Sequence, residues 1–212
     1  MPDLVDMRVM GLLCSHLCHD LASPIGAVNN GIEFLLDVGD DMRDDAMSLI
    51  ESSARRAAAS VMFYRMAYGT AGIAEIGDLA QARKLTDDLL VGDKLSLEWP
   101  DAERNPALQP GCGRMLLNLA VAAAEAMPRG GVLTLEVDET DGNMRLTAIA
   151  RGDRVQIHDV RRSVFFGDVA VEDLEARNVH SYFTIRLAES LGGRVEVTEN
   201  DESEIRFDVH LT

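Results

Sequence analysis

The first third of the chain is dominated by one long amphipathic helical pattern, which limits what the chain can fold into. Apolar residues recur at spacings of three and four from 3 to 37 and form one stripe: Met10, Leu13, Leu17, Leu21, Ile25, Val28, Ile32 and Leu35. Gly39 is a plausible end for this helix, and 40–68 predicts a second helix. The short connection makes the two helices antiparallel neighbours. Because an isolated helical hairpin cannot bury both faces, we expect two copies to form a dimeric four-helix bundle.

The remaining sequence predicts a different type of domain. We expect helices at 78–90, 111–127 and 180–191, and strands at 94–99, 131–138, 143–150, 194–199 and 204–211, with a turn at Asp141-Gly142. For 152–179 we expect a short strand and irregular helix. Mixed helices and mostly antiparallel strands predict an α+β fold with helices on one face of a sheet. We therefore divide the chain into a helical hairpin, 1–72, and a second domain, 73–212.

Charge and composition exclude several classes of function. The 212 residues include 36 Asp or Glu but only 20 Lys or Arg, giving a formal net charge of -16. Such a chain repels phosphate backbones and anionic lipids, so neither nucleic acid nor membrane is an expected partner. Three cysteines do not form a disulfide framework, and no secretory signal or spanning segment is visible. We expect a reduced, cytoplasmic protein.

His19 is the most informative single residue. At about 100° per residue, it falls roughly opposite the apolar stripe of the first helix. Its own face carries small or polar side chains and one leucine: Leu12, Ser15, Ser23, Gly26 and Asn30. A partner backbone can approach an imidazole in such surroundings, and a neutral imidazole is a capable nucleophile near neutral pH. The adjacent Asp20 is placed to orient the ring or to act in proton transfer.

Other interpretations of the same segment remain open. A histidine followed by an aspartate on a helix surface is usually a solvated pair. Cys14, His16, Cys18 and His19 resemble metal ligands as a string, but one helix cannot direct all four at one zinc ion. His16 is the main competitor for the role of reactive histidine. Cys112, at the start of the 111–127 helix, is interpreted as a buried thiol rather than a redox sensor.

The segment Leu17-Cys18-His19-Asp20-Leu21-Ala22-Ser23-Pro24-Ile25 resembles the H-box of sensor histidine kinases, in which His precedes Glu or Asp and a proline follows five positions later. It is more similar still to the ChpT-type histidine phosphotransferases of alphaproteobacteria, which share the run continued here by Gly26-Ala27 and Asn30-Gly31. The resemblance extends over essentially the whole chain. It implies a helical hairpin followed by a Bergerat-like α/β sandwich, similar to the ATP-binding domain of kinases.

The second domain departs from the kinase pattern at the nucleotide site. The run from Leu116 to Gly131 resembles the N-box, but Ala122 replaces the asparagine that helps to hold Mg²⁺. His180 and Tyr182 replace two glycines at which backbone approaches phosphate. Alanine cannot ligate a metal, and bulky side chains block that approach. The resemblance therefore implies a degenerate ATPase-like domain that lacks a nucleotide site and binds no cofactor of its own.

The function implied is a histidine phosphotransferase of a two-component phosphorelay, with His19 as phosphoacceptor and Asp20 in orientation or proton transfer. The implied donor is the receiver domain of a hybrid histidine kinase, the acceptors are response regulators, and the receiver brings the Mg²⁺. We expect partners to dock around His19, on the face defined above and on Met62, Arg65 and Met66 of the second helix. The alternatives are an autophosphorylating kinase with an atypical ATP site, a kinase-like ATPase of another type, and a non-catalytic dimeric scaffold.

Overall fold

The computed structural model describes residues 6–37, 42–69, 78–90, 94–99, 107–167 and 169–211. In chain order these contain α1 (Met7–Asp37), α2 (Arg43–Tyr68), α3 (Leu79–Leu90), β1 (Leu95–Glu98), α4 (Cys112–Glu125), β2 (Gly131–Thr140), β3 (Asn143–Arg151), α5 (Asp159–Phe166), a 3₁₀ turn (Val171–Asp173), α6 (Val179–Ser190), β4 (Arg194–Asn200) and β5 (Glu204–Leu211). Gly39 and the boundary proposed between 72 and 73 lie outside the described residues.

Helices α1 and α2 form the predicted antiparallel hairpin. Gly31 faces Ala46 and Ile50, whereas Asp20 meets Tyr64 further along α2. The helices pack closely at Gly31, because a Cβ placed there would lie 2.6 Å from Cγ1 of Ile50. The predicted apolar stripe is divided between two environments. Leu13, Leu17, Leu21, Val28 and Leu35 are partly buried, but Met10, Ile25 and Ile32 are exposed.

The second domain is built on a five-stranded sheet in the order β1-β2-β3-β5-β4. Strand β1 runs parallel to β2, and the other neighbouring pairs are antiparallel. The sheet is therefore mostly antiparallel, as predicted. Asp141 and Gly142 both adopt positive φ in the turn between β2 and β3, as a tight hairpin requires. Alternate residues of β2, Leu133 and Leu135, point into the core against α4.

The two faces of the sheet differ in character. The face that packs on helices carries apolar side chains such as Leu146 and Phe207. On the opposite face Thr147 donates a hydrogen bond of 2.6 Å to Asp208, which also pairs with Arg145 and Arg206. The polar character of this second face fits the expectation of an α+β fold with helices on one side of the sheet.

The hairpin and the sheet domain share one core. Phe63 and Ala67 of α2 are fully buried in the cluster that continues through α4 into the sheet. The amide of Asn118 on α4 donates to the carbonyl of Ala67 at 3.1 Å, and the guanidinium of Arg114 donates to the carbonyl of Gly69. These contacts fix the end of α2 on the second domain, so the hairpin is held in position beside it.

The prediction for 152–179 is wrong in one respect. The described residues of this segment form α5 and the 3₁₀ turn, and no strand occurs among residues 152–167 and 169–179. The segment is anchored from a distance: the guanidinium of Arg8, at the start of α1, donates to the carbonyls of Val171 and Leu174 at 3.0 and 2.9 Å. Such long-range contacts leave no periodic signal in the local sequence.

Candidate functional site

His19 projects from the middle of α1 into solvent, with 90% of its side chain exposed. Its Nδ1 lies 3.5 Å from Oδ1 of Asp20, the residue that follows it. Among the described residues, no polar partner is present at Nε2. The ring therefore has one nitrogen next to a carboxylate and one nitrogen open to an approaching molecule, which is the arrangement that a nucleophilic imidazole needs.

Asp20 is the centre of the local polar contacts. The hydroxyl of Tyr64, on α2, donates a hydrogen bond of 2.7 Å to Oδ2 of Asp20. The Nε2 of His16, one turn earlier on α1, lies 3.6 Å from the same oxygen. Because Oδ2 is held by α2, Oδ1 is left on the side of His19. The antiparallel packing of α1 and α2 produces this site, since Tyr64 follows Asp20 by 44 positions in the sequence.

His16 has surroundings opposite to those of His19. Only 15% of its side chain is exposed, and its ring stacks on that of His180 from α6 with centroids 6.3 Å apart. Burial lowers the pKa of His16 below its ordinary value, even though Asp20 acts in the other direction. The His16 ring lines the cleft but is far less accessible than the His19 ring, so the geometry favours His19 over His16 as the reactive histidine.

A buried ionic group lies behind His16. Nδ1 of His180 is 3.6 Å from Oε2 of Glu125, and Arg161 donates to Oε1 of Glu125 at 2.8 Å. Burial by itself would raise the pKa of Glu125, but His180 and Arg161 outweigh it and bring that pKa below its ordinary value. The group joins α4, α5 and α6, and the stacked His16 connects it to α1.

A cleft of about 840 Å³ opens beside His19, between the hairpin and the second domain. Its hairpin wall includes Asp20, Ser23 and Tyr64, and two of its basic residues are Arg56 and Lys94. The opposite wall is largely apolar. It is formed by side chains of α3, β1 and α4 and by one residue just after α4: Leu89, Leu90, Leu95, Val121 and Met127. The cleft thus combines an apolar wall with two cationic side chains.

Of the predicted docking residues of α1, Ser23 lines the cleft, whereas Leu12, Ser15, Gly26 and Asn30 do not. Ser15, Ser23 and Asn30 are exposed, while Leu12 and Gly26 are partly exposed. A Cβ added at Gly26 would meet nothing within 4 Å. A partner backbone can therefore come close to this face.

The predicted docking residues of α2 require a correction. Met66 is only 8% exposed and belongs to the core, so it cannot contribute to a docking surface. Met62 and Arg65 are exposed, but neither lines the cleft. The α2 side chains that do line it include Arg56 and Tyr64. Sequence reasoning missed these two residues, because periodicity alone does not tell which polar face of α2 adjoins His19.

The cysteines and the candidate metal ligands of the sequence do not form a site in the described part of the chain. Cys14 and Cys18 are exposed and Cys112 is buried, and burial raises the pKa of the Cys112 thiol despite a hydrogen bond with Gln109. In the ranges that the structure describes, no three His, Cys, Asp or Glu side chains converge as metal ligands would. Within the same ranges, no helix is both long enough and apolar enough to cross a membrane.

Comparison with known proteins identifies the class. Residues 79–203 match the family model of the histidine phosphotransferase C-terminal domain. The chain is 34% identical over 187 residues to the protein phosphotransferase ChpT of Brucella abortus (strain 2308), and the aligned region covers 88% of each chain. A solved structure of a bacterial phosphotransferase superposes with a TM-score of 0.83 at 32% identity and covers 97% of both chains. The chain is therefore a histidine phosphotransferase. It belongs to the family that includes the ChpT protein phosphotransferases, which are phosphorelay proteins.

Proposed function

We propose that His19 is the residue that carries the phosphoryl group. Nε2 of His19 attacks the phosphorus of an aspartyl phosphate, so that an N–P bond forms while the acyl O–P bond breaks and the aspartate leaves as a carboxylate. The proton on Nδ1 stays on the ring, which becomes cationic, and Oδ1 of Asp20 lies 3.5 Å from that nitrogen. A second aspartate then attacks the phosphohistidine and restores the neutral ring. The observation that carries this proposal is the exposure of His19 with its Nδ1 beside a carboxylate.

The partners that fit this chemistry are receiver domains. The donor is the receiver of a hybrid histidine kinase, and the acceptors are response regulators. The receiver supplies the Mg²⁺ that neutralises the transferring group, so this chain provides a positioned imidazole and a docking surface. The cleft supports docking next to His19, since it joins the Ser23 face of α1 to the apolar wall of the second domain.

We further infer that the hairpin pairs with a second copy. Six exposed positions of α1 follow one another in steps of seven or four and are apolar or cysteine: Met7, Cys14, Cys18, Ile25, Ile32 and Leu36. The helical repeat places this strip on the side away from His16, Asp20 and Ser23. Met47 and Val61 extend an exposed apolar face on α2. A dimeric four-helix bundle covers both faces and leaves the cleft open for receivers.

The second domain acts without a bound nucleotide in this proposal. His180 stands at a position where the kinase pattern has glycine, and its side chain is 1% exposed between His16, Tyr68 and Thr184. A side chain so placed belongs to the junction with the hairpin. These contacts support a positioning and docking role for the domain, and they disfavour the kinase alternatives.

The test compares phosphoryl transfer to the chain from ATP with phosphoryl transfer from a phosphorylated receiver domain. With labelled ATP alone, we expect no label on the chain; with a phosphorylated receiver, we expect label on the wild type and none on His19→Ala. Labelling by ATP alone would support an autophosphorylating kinase instead. Absence of label from a cognate receiver would favour a non-catalytic scaffold. Thermal unfolding of His19→Ala is the folding control, and its midpoint should match the wild type because the side chain is exposed.

A further inference from the structure

The hydrogen bond between Tyr64 and Asp20 connects the second helix of the hairpin to the reactive histidine. The hydroxyl of Tyr64 lies 2.7 Å from Oδ2 of Asp20. The Tyr64 ring is fixed by its neighbours on α2, since its centroid lies 6.1 Å from that of Phe63 and 5.8 Å from that of Tyr68. A phenol held in this way presents its hydroxyl at one place, and Asp20 is the group it meets there.

The direction of this hydrogen bond is fixed by the surroundings. Burial, reinforced by the adjacent Asp20 carboxylate, raises the pKa of Tyr64 far above its ordinary value. Tyr64 therefore stays protonated and acts as a donor. A carboxylate can rotate about its Cβ–Cγ bond, but donation from Tyr64 anchors Oδ2. His16 approaches the same oxygen at 3.6 Å.

Anchoring one oxygen has a consequence for the other. With Oδ2 held on the α2 side, Oδ1 faces Nδ1 of His19, where it favours the tautomer that carries its proton on Nδ1. In that tautomer the lone pair that attacks phosphorus is on Nε2. Because the His19 ring is almost fully exposed, water competes for Nδ1, and a loosely held carboxylate would lose much of its influence.

We propose that Tyr64 is a positioning residue for phosphoryl transfer, which acts through Asp20 to set the tautomer and orientation of His19. The inference rests on the proposed function only in taking His19 as the phosphoacceptor. Tyr64 itself does not touch the reacting atoms; it determines where the Asp20 carboxylate stands. The hairpin thereby gives α2 a direct part in the chemistry of α1.

The structure offers a matched pair of variants. Tyr64→Phe removes the hydroxyl that holds Asp20 and keeps the ring. Tyr68→Phe, one turn further along α2, removes a buried hydroxyl that has no hydrogen-bond partner among the described residues. The first change deletes a bond to a carboxylate, whereas the second deletes an unsatisfied group, and that deletion should leave the stability unchanged or raised. Any effect of losing a tyrosine hydroxyl from α2 in general would appear in both.

The experiment uses phosphoramidate, a small phosphoryl donor that modifies histidines without a docking partner. We expect Tyr64→Phe to slow phosphorylation of His19 about tenfold, the loss that one hydrogen bond to a charged group predicts. Tyr68→Phe should change the rate of His19 phosphorylation by less than about twofold. In the Asp20→Asn background, Tyr64→Phe should cause little further loss, because the two residues act as one unit.

A spectroscopic measurement separates positioning from general damage. In ¹⁵N–¹H long-range correlation spectra, the fraction of His19 with its proton on Nδ1 should fall in Tyr64→Phe and stay unchanged in Tyr68→Phe. Wild-type rate and tautomer in Tyr64→Phe would overturn the inference, as would fully additive losses with Asp20→Asn. The tautomer is measured without phosphate, so this result stands apart from the identity of the phosphoacceptor. If a phosphorylated receiver labels His19→Ala as strongly as the wild type, the proposed function fails on its own terms.

Discussion

The exposed apolar strip of α1 allows a quantitative test of the proposed dimer. Ile25 lies near the middle of the strip, next to the segment that carries His19, and is 50% exposed in the single chain. Full burial of an isoleucine side chain contributes about 2 kcal/mol, so burying the exposed half contributes about 1 kcal/mol. The dimer contains two copies, and losing both contributions costs about 2 kcal/mol, which corresponds to a dissociation constant about 30-fold higher.

Ile25→Asp is the sharper perturbation, because it also places a carboxylate in the apolar seam. Removing a carboxylate from water without a partner costs several kcal/mol more, so the 30-fold figure is a lower bound. The change should leave the hairpin folded, since position 25 is on the surface of the single chain. Phe166→Asp is the matched control: Phe166 is also 50% exposed, but it lies on α5, where its ring packs under the guanidinium of Arg162.

The assay is sedimentation velocity over a concentration series, with circular dichroism to verify the fold. The wild type and Phe166→Asp should sediment as dimers at micromolar concentration, and Ile25→Asp as a monomer. A wild type that is monomeric throughout the series would refute the reasoning. So would an Ile25→Asp protein that dimerises as tightly as the wild type, because the strip would then face solvent or another partner.

Three further predictions follow from the same contacts. Gly26→Ala and Gly11→Ala should each raise the free energy of unfolding in urea by about 0.5–1 kcal/mol, since neither new methyl group meets an atom within 4 Å. Only Gly26→Ala should slow phosphoryl transfer from a receiver, and equal transfer rates in the two variants would contradict docking on that face. Asn118→Ala should lower the free energy of unfolding by about 1 kcal/mol, because the hydrogen bond to the carbonyl of Ala67 is lost. Removal of the buried, unpaired Oδ1 offsets part of that loss, and a stabilised variant would contradict this account. The lowered pKa of Glu125 means that its stabilisation is present above its ordinary pKa of 4.5 and is lost as the pH falls through the lower folded value. Glu125→Gln should therefore flatten the fall of the unfolding free energy below about pH 5, and an unchanged slope would exclude this group as its source.

Local sequence patterns were sufficient to predict most of the elements. The stripe from Met10 to Leu35 predicted α1, and Asp141-Gly142 predicted the turn that joins β2 to β3. Both signals depend only on neighbours along the chain. The exposed face of α1 around His19 was predicted for the same reason. Helical repeat fixes which residues share a face, whatever the helix packs against.

What the sequence did not reveal depends on tertiary register. Tyr64 reaches Asp20 only because the hairpin aligns two residues 44 positions apart. Met66 was expected at the surface, but α2 meets α3 and α4 at that point and the side chain enters their core. The strand expected within 152–179 was wrong because the segment is held by distant partners, among them Arg8 and Glu125.

The most direct test of the central claim is to establish which nitrogen of which histidine carries the phosphoryl group. The wild-type chain, labelled with ¹⁵N in its histidines and phosphorylated by a receiver, would be examined by ³¹P and ¹⁵N NMR beside the His16→Ala variant. We predict that the phosphorus is bonded to Nε2 of His19 and that His16→Ala is still labelled there. A phosphoryl group on His16, or on Nδ1 of His19 where Asp20 stands, would contradict the account.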